Sequence, residues 1–106
     1  MQQYIIQGWD SKDNKAMERR MANRTAHFEN ARAWKQKNNY IMGAAMLDNE
    51  GKMIGSTMVL QFETPEELQQ WITSEPYVTG KVWERYEVYP VRIPDIDKYF
   101  AELNNK

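Results

Sequence analysis

Strand-like and helix-like segments follow one another along the chain in an order that few folds can accommodate. Tyr4 to Trp9 is rich in β-branched and aromatic residues and predicts a first strand. Lys15 to Lys37 contains no Gly or Pro and is dominated by strong helix formers, so it predicts a long helix. Tyr40 to Leu47 and Met53 to Phe62 then flank a polar segment with a glycine near its end, which is the composition of a β-hairpin.

The second half of the chain completes the pattern. Thr64 and Pro65 open a second helix, because the threonine hydroxyl can cap the helix and proline fits its first turn. Val82 to Val91 predicts a last strand, and Asp95 to Leu103 a short amphipathic C-terminal helix. The order β-α-β-β-α-β is that of the ferredoxin-like α+β fold, with an antiparallel sheet and both main helices on one face. We therefore predict one domain over residues 1–106, with a core of residues 1–93 and a helical extension of residues 94–106.

Two of the predicted strands have apolar residues on both faces, although a sheet covered on one side should alternate apolar and polar residues. In the second strand, the alternating sets are Tyr40, Met42, Ala44 and Met46 against Ile41, Gly43, Ala45 and Leu47. In the last strand, they are Val82, Tyr86 and Val88 against Trp83, Tyr89 and Val91. Since the helices can cover only one face, the pattern predicts a homodimer whose two sheets pack face to face.

Composition excludes several classes of function. The chain has 14 basic and 15 acidic residues, a balance that argues against nucleic-acid binding and against a polybasic membrane protein. It has no cysteine and a single histidine, and no metal-ligand spacing or phosphate-binding glycine loop, so we predict no metal and no cofactor. No apolar run approaches the ~20 residues of a membrane span and no signal peptide is recognisable, so we expect a cytoplasmic protein without a membrane partner.

The single histidine, His27, is the first candidate for chemistry, because imidazole suits proton transfer near neutral pH. Met17, Met21, Phe28 and Ala31 fall at helical spacing and predict the buried face of the first helix, with Trp34 at its edge. His27 lies about 100° from Phe28 around the helix axis, which predicts a position at the border between core and solvent. A solvated or partner-bonded histidine without a catalytic role is the alternative.

A second candidate is Glu75, which precedes Pro76 where the second helix should end. Its carboxylate could hold His27 in one tautomer, or it could be a helix-terminal surface acid. Ser56 follows Gly55 at the start of the third strand and could bind a ligand or a neighbouring backbone group. Eight basic and four acidic residues between positions 10 and 37 give a local charge of +4, which favours a small anionic ligand near Arg24, one turn before His27.

Taken in order, these segments resemble the YCII-related (YciI-like) family of small bacterial proteins. The matching residues are Arg24, His27, Gly43, Gly51, Gly55, Ser56, Glu75-Pro76-Tyr77-Val78, Gly80 and Val88-Tyr89-Pro90. The resemblance implies a dimeric α/β barrel in which the helix histidine lies in a cleft beside the aspartate of an Asp-Pro-Tyr/Phe motif. Here position 75 is glutamate, about 1.5 Å longer. The resemblance also implies ligand contacts from Arg24, Ser56 and Tyr77.

Three functions stay open at this point. The first is a cofactor-independent lyase or isomerase, because relatives implied by the resemblance remove chloride from a halogenated hydroquinone or shift protons on small ring acids. In that hypothesis His27 and Glu75 are catalytic, and Arg24, Ser56 and Tyr77 bind an anionic or phenolic substrate. The second is a non-catalytic small-ligand-binding or accessory module. The third is a monooxygenase of the dimeric α/β barrel type, since fold alone does not decide chemistry.

Overall fold

The computed structural model describes residues 1–105 and shows four strands and four helices; Lys106, the last residue of the predicted extension, lies outside the described residues. The elements in chain order are β1 (Gln2–Asp10), α1 (Ala16–Gln36), β2 (Tyr40–Leu47), β3 (Met53–Phe62), α2 (Pro65–Ser74), α3 (Pro76–Thr79), β4 (Trp83–Val91) and α4 (Ile96–Asn104). The predicted order is confirmed. The single turn of α3 is an addition, formed because Glu75 and Pro76 restart the helix immediately after α2 ends.

The four strands form one antiparallel sheet in the order β2-β3-β1-β4. Helices cover one face of this sheet, where every second residue is buried from Ile6 to Asp10 on β1 and from Ser56 to Phe62 on β3. The core on this side contains the following large side chains: Ile6, Trp34, Met58, Leu60, Phe62, Leu68, Trp71, Ile72, Tyr77, Val82 and Trp83. Among residues 1–105, no element covers the other face, and Met42 and Tyr89 on it are exposed.

Trp83 corrects the predicted strand alternation. It was expected to share a face with Tyr89 and Val91, but it is buried and packs on the helix-covered side, where its indole N–H donates to Ser56 Oγ at 3.4 Å. The reason is a register irregularity: Trp9 pairs with Arg85, whereas Asp10 pairs with Trp83. The extra residue of this bulge shifts the alternation by one position, so Trp83 lies on the same face as Tyr86 and Val88.

The buried face of α1 differs from the prediction. Met17, Met21 and Phe28 were expected in the core, yet they are 39–54% exposed. The buried residues of α1 are Arg20, His27, Ala31 and Trp34. His27 is therefore buried, with 6% of its surface exposed, rather than at the border. Polar partners on the sheet and on α3, not the apolar pattern of the helix, decide which side faces inward.

The polypeptide after β4 extends away from the rest of the chain. No residue of α4 is buried, although its N-terminus is capped by Asp95, whose carboxylate accepts from the Lys98 amide at 2.9 Å. The radius of gyration is 16.0 Å and the longest dimension 59 Å, against about 13 Å for the radius of gyration of a compact domain of this length. We refer to residues 92–105 as the C-terminal arm. No helix among the described residues is long and apolar enough to cross a membrane.

Candidate functional site

A buried hydrogen bond joins α1 to the start of α3. His27 Nδ1 lies 2.5 Å from Glu75 Oε1, and both side chains are almost wholly removed from solvent. The longer glutamate at position 75 thus reaches the imidazole. Because Nδ1 faces a carboxylate, it carries the proton in this contact, and Nε2 is the nitrogen left for a bound molecule.

Glu75 is held in place by its position between two helices. It ends α2 and caps the N-terminus of α3, where Oε1 also accepts from the Tyr77 amide at 3.1 Å. Its Oε2 accepts from Asn30 Nδ2 at 3.4 Å. These bonds satisfy the carboxylate from three directions and fix its orientation toward His27, as supporting hydrogen bonds do for catalytic and metal-binding side chains.

Tyr77 stacks on His27. The two ring centroids are 3.9 Å apart, with an angle of 8° between the ring planes, and Tyr77 is buried. Burial raises the pKa of the Tyr77 phenol, although Arg20 and Arg24 nearby act in the opposite direction. Burial likewise raises the pKa of the Tyr40 phenol, assisted by the negative charge of Glu75. Both phenols are consequently neutral hydrogen-bonding groups at physiological pH.

A second buried network centres on Arg20. Its guanidinium donates to both carboxylate oxygens of Asp10, at 2.8 and 2.9 Å, and to Ser56 Oγ at 3.0 Å. It also lies 4.9 Å from the centroid of the Tyr77 ring. Burial raises the pKa of the Asp10 carboxyl even though the Arg20 charge lowers it. Arg20 Nε is buried without a hydrogen-bond partner among the described residues.

A cavity of about 230 Å³ opens beside these groups. Its polar lining comes from α1, β2, β3 and α3: Arg20, Arg24, His27, Tyr40, Ser56 and Tyr77. Gly43, Ala44 and Ala45 supply the β2 side of the wall. Its volume lies below the range of about 300–1,000 Å³ typical of drug-sized ligands, and it suits a molecule with about one ring.

All five candidate residues of the sequence analysis fall at this place. His27, Arg24, Ser56 and Tyr77 line the cavity, and Glu75 lies behind His27, in contact with its Nδ1. Ser56 is buried and accepts from Arg20 and Trp83. The geometry brings these residues together, whereas their roles in binding or catalysis stay predictions.

The sequence analysis missed Arg20 and its partner Asp10. A signal was present, because Arg20, His27 and Trp34 are spaced by seven residues and therefore lie on one helix face. Apolar spacing does not predict this face as buried, because two of its three residues are polar. Phe28 and Tyr40 also line the cavity without having been singled out.

The site is chemically suited to proton transfer on a small negatively charged molecule. It combines an oriented imidazole with the positive charge of Arg24, the guanidinium of Arg20 paired with Asp10, and the hydroxyls of Ser56, Tyr40 and Tyr77. Within residues 1–105, no three His, Asp or Glu side chains lie close enough together to hold a metal ion.

Comparison with known proteins places this arrangement in a family. The model of the YCII-related domain matches residues 4–92. The chain belongs to the YCII-related family. The matched region includes every cavity-lining residue and ends at Arg92, the first residue of the C-terminal arm.

Curated relatives and solved structures agree with this membership. Protein YciI of Escherichia coli O6:H1 and protein YciI of Shigella flexneri are each 27% identical over 95 residues, covering 84% of this YCII-related chain and 95% of the relative. The structure is similar to that of 5-chloro-2-hydroxyhydroquinone dehydrochlorinase from Burkholderia phenoliruptrix in complex with 2,5-dihydroxybenzoquinone. The TM-score is 0.72 at 16% identity, covering 89% of this chain and 97% of the dehydrochlorinase.

A more distant likeness is to a protein of Nitrosomonas europaea with the provisional name antibiotic biosynthesis monooxygenase. Its TM-score is 0.52 at 13% identity, with 88% of this chain and 98% of that chain covered. At these identities the two structural likenesses show the fold alone. They confirm the predicted ferredoxin-like α+β fold.

Proposed function

We propose that this YCII-related protein is a small-molecule enzyme that performs acid/base chemistry with His27 on an anionic or phenolic substrate. The observation that carries the proposal is the buried contact between His27 Nδ1 and Glu75 beside a cavity lined by arginines. A histidine needed only for packing would not require a carboxylate held by three hydrogen bonds. An oriented imidazole with one free nitrogen at a cavity is what a general base requires.

The proton transfer follows from the tautomer. With its proton on Nδ1, His27 accepts a proton from the substrate at Nε2, and the resulting imidazolium is stabilised by the Glu75 carboxylate. The electron pair left on the substrate forms a new π bond. In a lyase reaction, an anion such as chloride leaves as that bond forms. In an isomerase reaction, the imidazolium returns the proton to another carbon.

The charge of the site favours an anionic or phenolic substrate. Arg24 brings a positive charge to the cavity. The charge of the buried Arg20 is balanced by Asp10, and its Nε–H lacks a partner in the described chain. Ser56 and the neutral phenol of Tyr77 offer hydroxyls for substrate oxygens. A phenolate or carboxylate would be attracted by the arginines and oriented by the hydroxyls.

The dehydrochlorinase with which the chain shares its fold supports this choice of chemistry. That enzyme is named for a chlorinated hydroquinone, and its structure is a complex with a hydroxylated benzoquinone. A ring of that size matches a cavity of about 230 Å³. We therefore include elimination of chloride from a phenolic ring among the reactions proposed for this chain.

We also propose that the protein is a homodimer in which the two sheets pack through their uncovered faces. Met42 and Tyr89 lie exposed on this face, and Ile5, Val59 and Val91 are only partly covered. Such a surface in water favours association with a copy of itself. Light scattering coupled to size-exclusion chromatography measures the mass directly, and a monomer at all concentrations would exclude this assembly.

The catalytic proposal is tested by incubating the protein with chlorinated hydroquinones, muconates and small lactones. Chloride release, ultraviolet absorbance and hydrogen–deuterium exchange of substrate C–H bonds in D₂O are followed together. We expect turnover or exchange by the wild type, a loss of at least about 100-fold in His27→Gln, and a smaller loss in Glu75→Gln. Arg32→Gln, an exposed change on the same helix outside the cavity, is the matched control.

The outcomes separate the three functions. Equal rates for wild type and His27→Gln would remove His27 from the mechanism. Saturable binding without turnover or exchange would assign the cavity to a ligand-binding module. A Soret band on addition of haem, abolished in His27→Gln, would favour the oxidative function instead.

A further inference from the structure

The apolar face of α4 has no partner within the described part of the chain, residues 1–105. Its four large apolar residues are spaced at i, i+3, i+4 and i+7 and so form one stripe, yet each is 49–62% exposed: Ile96, Tyr99, Phe100 and Leu103. A helix of nine residues is marginal in water without tertiary contacts. The stripe therefore needs a partner surface if α4 is to persist as a helix.

The arm leads α4 away from its own domain. The Ile93 amide donates to Gln3 Oε1 at 2.6 Å, which fixes the start of the arm at the end of the sheet. Beyond that point no residue is buried. The family match ends at Arg92, so the arm is an addition to the shared domain rather than part of its core.

A complementary surface lies on α1. Met17, Met21 and Phe28 are 39–54% exposed and lie within about 40° of one another around the helix axis. Three exposed basic residues lie on the same side: Arg24, Arg32 and Lys35. Two acidic residues, Glu18 and Glu29, border this side further round the helix.

Charge identifies α1 of another copy as a suitable partner for α4. Residues 95–105 contain three acidic residues, Asp95, Asp97 and Glu102, against the single base Lys98. The apolar stripe of α4 is thus flanked by negative charge, whereas that of α1 is flanked mainly by positive charge. A negatively charged helix is poorly suited to an anionic membrane surface, which attracts basic helices.

We propose that α4 of one subunit packs across the exposed stripe of α1 (Met17, Met21 and Phe28) in a second copy of the chain. Phe28, together with Arg24 beside it, also lines the cavity. The arm of one subunit consequently forms part of the wall of its partner's site. This inference rests on the dimer put forward under the proposed function.

Because the chain has no cysteine, the contact can be tested by single introduced thiols. Met21→Cys and Phe100→Cys are prepared with purification tags of different mass, refolded together from urea, and oxidised. We expect a covalent heterodimer at several times the yield obtained when Ala101→Cys replaces Phe100→Cys. Ala101 is the matched control, because it is exposed and lies about 100° further round α4 than Phe100.

Three results would overturn the proposal. Equal yields from Phe100→Cys and Ala101→Cys would show that α4 does not face α1 of a partner. In a chain that carries both Met21→Cys and Phe100→Cys, an internally bridged monomer would show that the arm folds onto its own α1. Preferential crosslinking of Phe100→Cys to itself would show that two α4 helices pack together.

Light scattering on the wild type distinguishes failure of the arm contact from failure of the dimer. A dimeric wild type without the heterodimer crosslink leaves the sheet-to-sheet assembly standing and excludes the arm contact alone. A wild type that is monomeric at the crosslinking concentration excludes both. If the wild type is a dimer, a mass that falls toward that of the monomer in Tyr99→Ser/Phe100→Ser, but not in Ala101→Ser, supports the contact made by the arm.

Discussion

The ring of Tyr77 lies flat against the ring of His27, with their centroids 3.9 Å apart. The same Tyr77 donates its amide hydrogen to Glu75 Oε1, the oxygen that contacts His27 Nδ1. The imidazole is thus restrained by a carboxylate at its edge and by an aromatic ring at its face. Its orientation depends on the first turn of α3 as much as on α1.

This arrangement predicts that the Tyr77 ring matters more than its hydroxyl for stability. Tyr77→Ala removes a buried aromatic ring and should lower the free energy of unfolding by about 3–5 kcal/mol. Tyr77→Phe keeps the stack and should cost less than about 1.5 kcal/mol. Urea denaturation followed by tryptophan fluorescence measures both. A cost below about 1 kcal/mol for Tyr77→Ala would contradict a structural role for the stack.

A second prediction concerns the length of the residue at position 75. Glu75→Asp shortens the side chain by about 1.5 Å, so its oxygen should no longer reach His27 Nδ1, now 2.5 Å away. We expect ¹⁵N NMR to show His27 protonated on Nδ1 in the wild type and a mixture of tautomers in Glu75→Asp. Glu66→Asp, an exposed acid on α2, serves as control. An unchanged tautomer in Glu75→Asp would show that the α3 backbone moves to follow the carboxylate.

The buried ion pair between Asp10 and Arg20 gives a third prediction. Asp10→Ala leaves the Arg20 guanidinium buried without its counterion and should lower the free energy of unfolding by about 3–5 kcal/mol. The double change Asp10→Leu/Arg20→Met removes both charges and should recover much of this loss. The pair Asp13 and Arg19 on the surface is the control, and Asp13→Ala should cost far less. Urea denaturation of the wild type and these three variants measures the difference, and a double variant no more stable than Asp10→Ala would contradict the coupling.

Asp13 provides a prediction for acid pH. Hydrogen bonds from Arg19 and from the Lys15 amide lower the pKa of its carboxyl from 3.8 to about 2. The folded state therefore binds this proton less readily than the unfolded state, and the stabilisation is complete above about pH 4 and lost as the pH falls through about 2. The difference in unfolding free energy between wild type and Asp13→Asn should shrink between pH 5 and pH 2. A difference that stays constant over this range would mean that the carboxylate is not ionised against Arg19.

The order of strands and helices could be read from the sequence because it depends on local chemistry. The Thr64 hydroxyl accepts from the Glu67 amide at 3.2 Å, as its place before Pro65 predicts, and the helix ends before Pro76. Such caps and breakers act within a few residues of themselves. The apolar alternation of the strands was equally local, apart from the bulge beside Trp83 and the register irregularities of β2 at Tyr40/Met42 and Met46/Leu47.

The inward face of α1 could not be read in the same way. Its apolar residues Met17, Met21 and Phe28 point to one side, yet the helix turns Arg20 and His27 inward. Those two side chains are buried because Asp10 on β1 and Glu75 before α3 offer them charged partners. These partners are ten and 48 residues away in sequence, so only the folded chain brings them into contact.

The smallest side chains of the site stand in a row on β2. Gly43, Ala44 and Ala45 form one wall of the cavity, and a β-carbon added to Gly43 would come within 2.4 Å of the Tyr40 hydroxyl. Larger side chains at Gly43 or Ala45 would reduce the space in this cavity, whereas His27 and Glu75 lie on other elements and would keep their contact. Changes on β2 can therefore alter the size of the cavity while the pairing of the imidazole with its carboxylate stays the same.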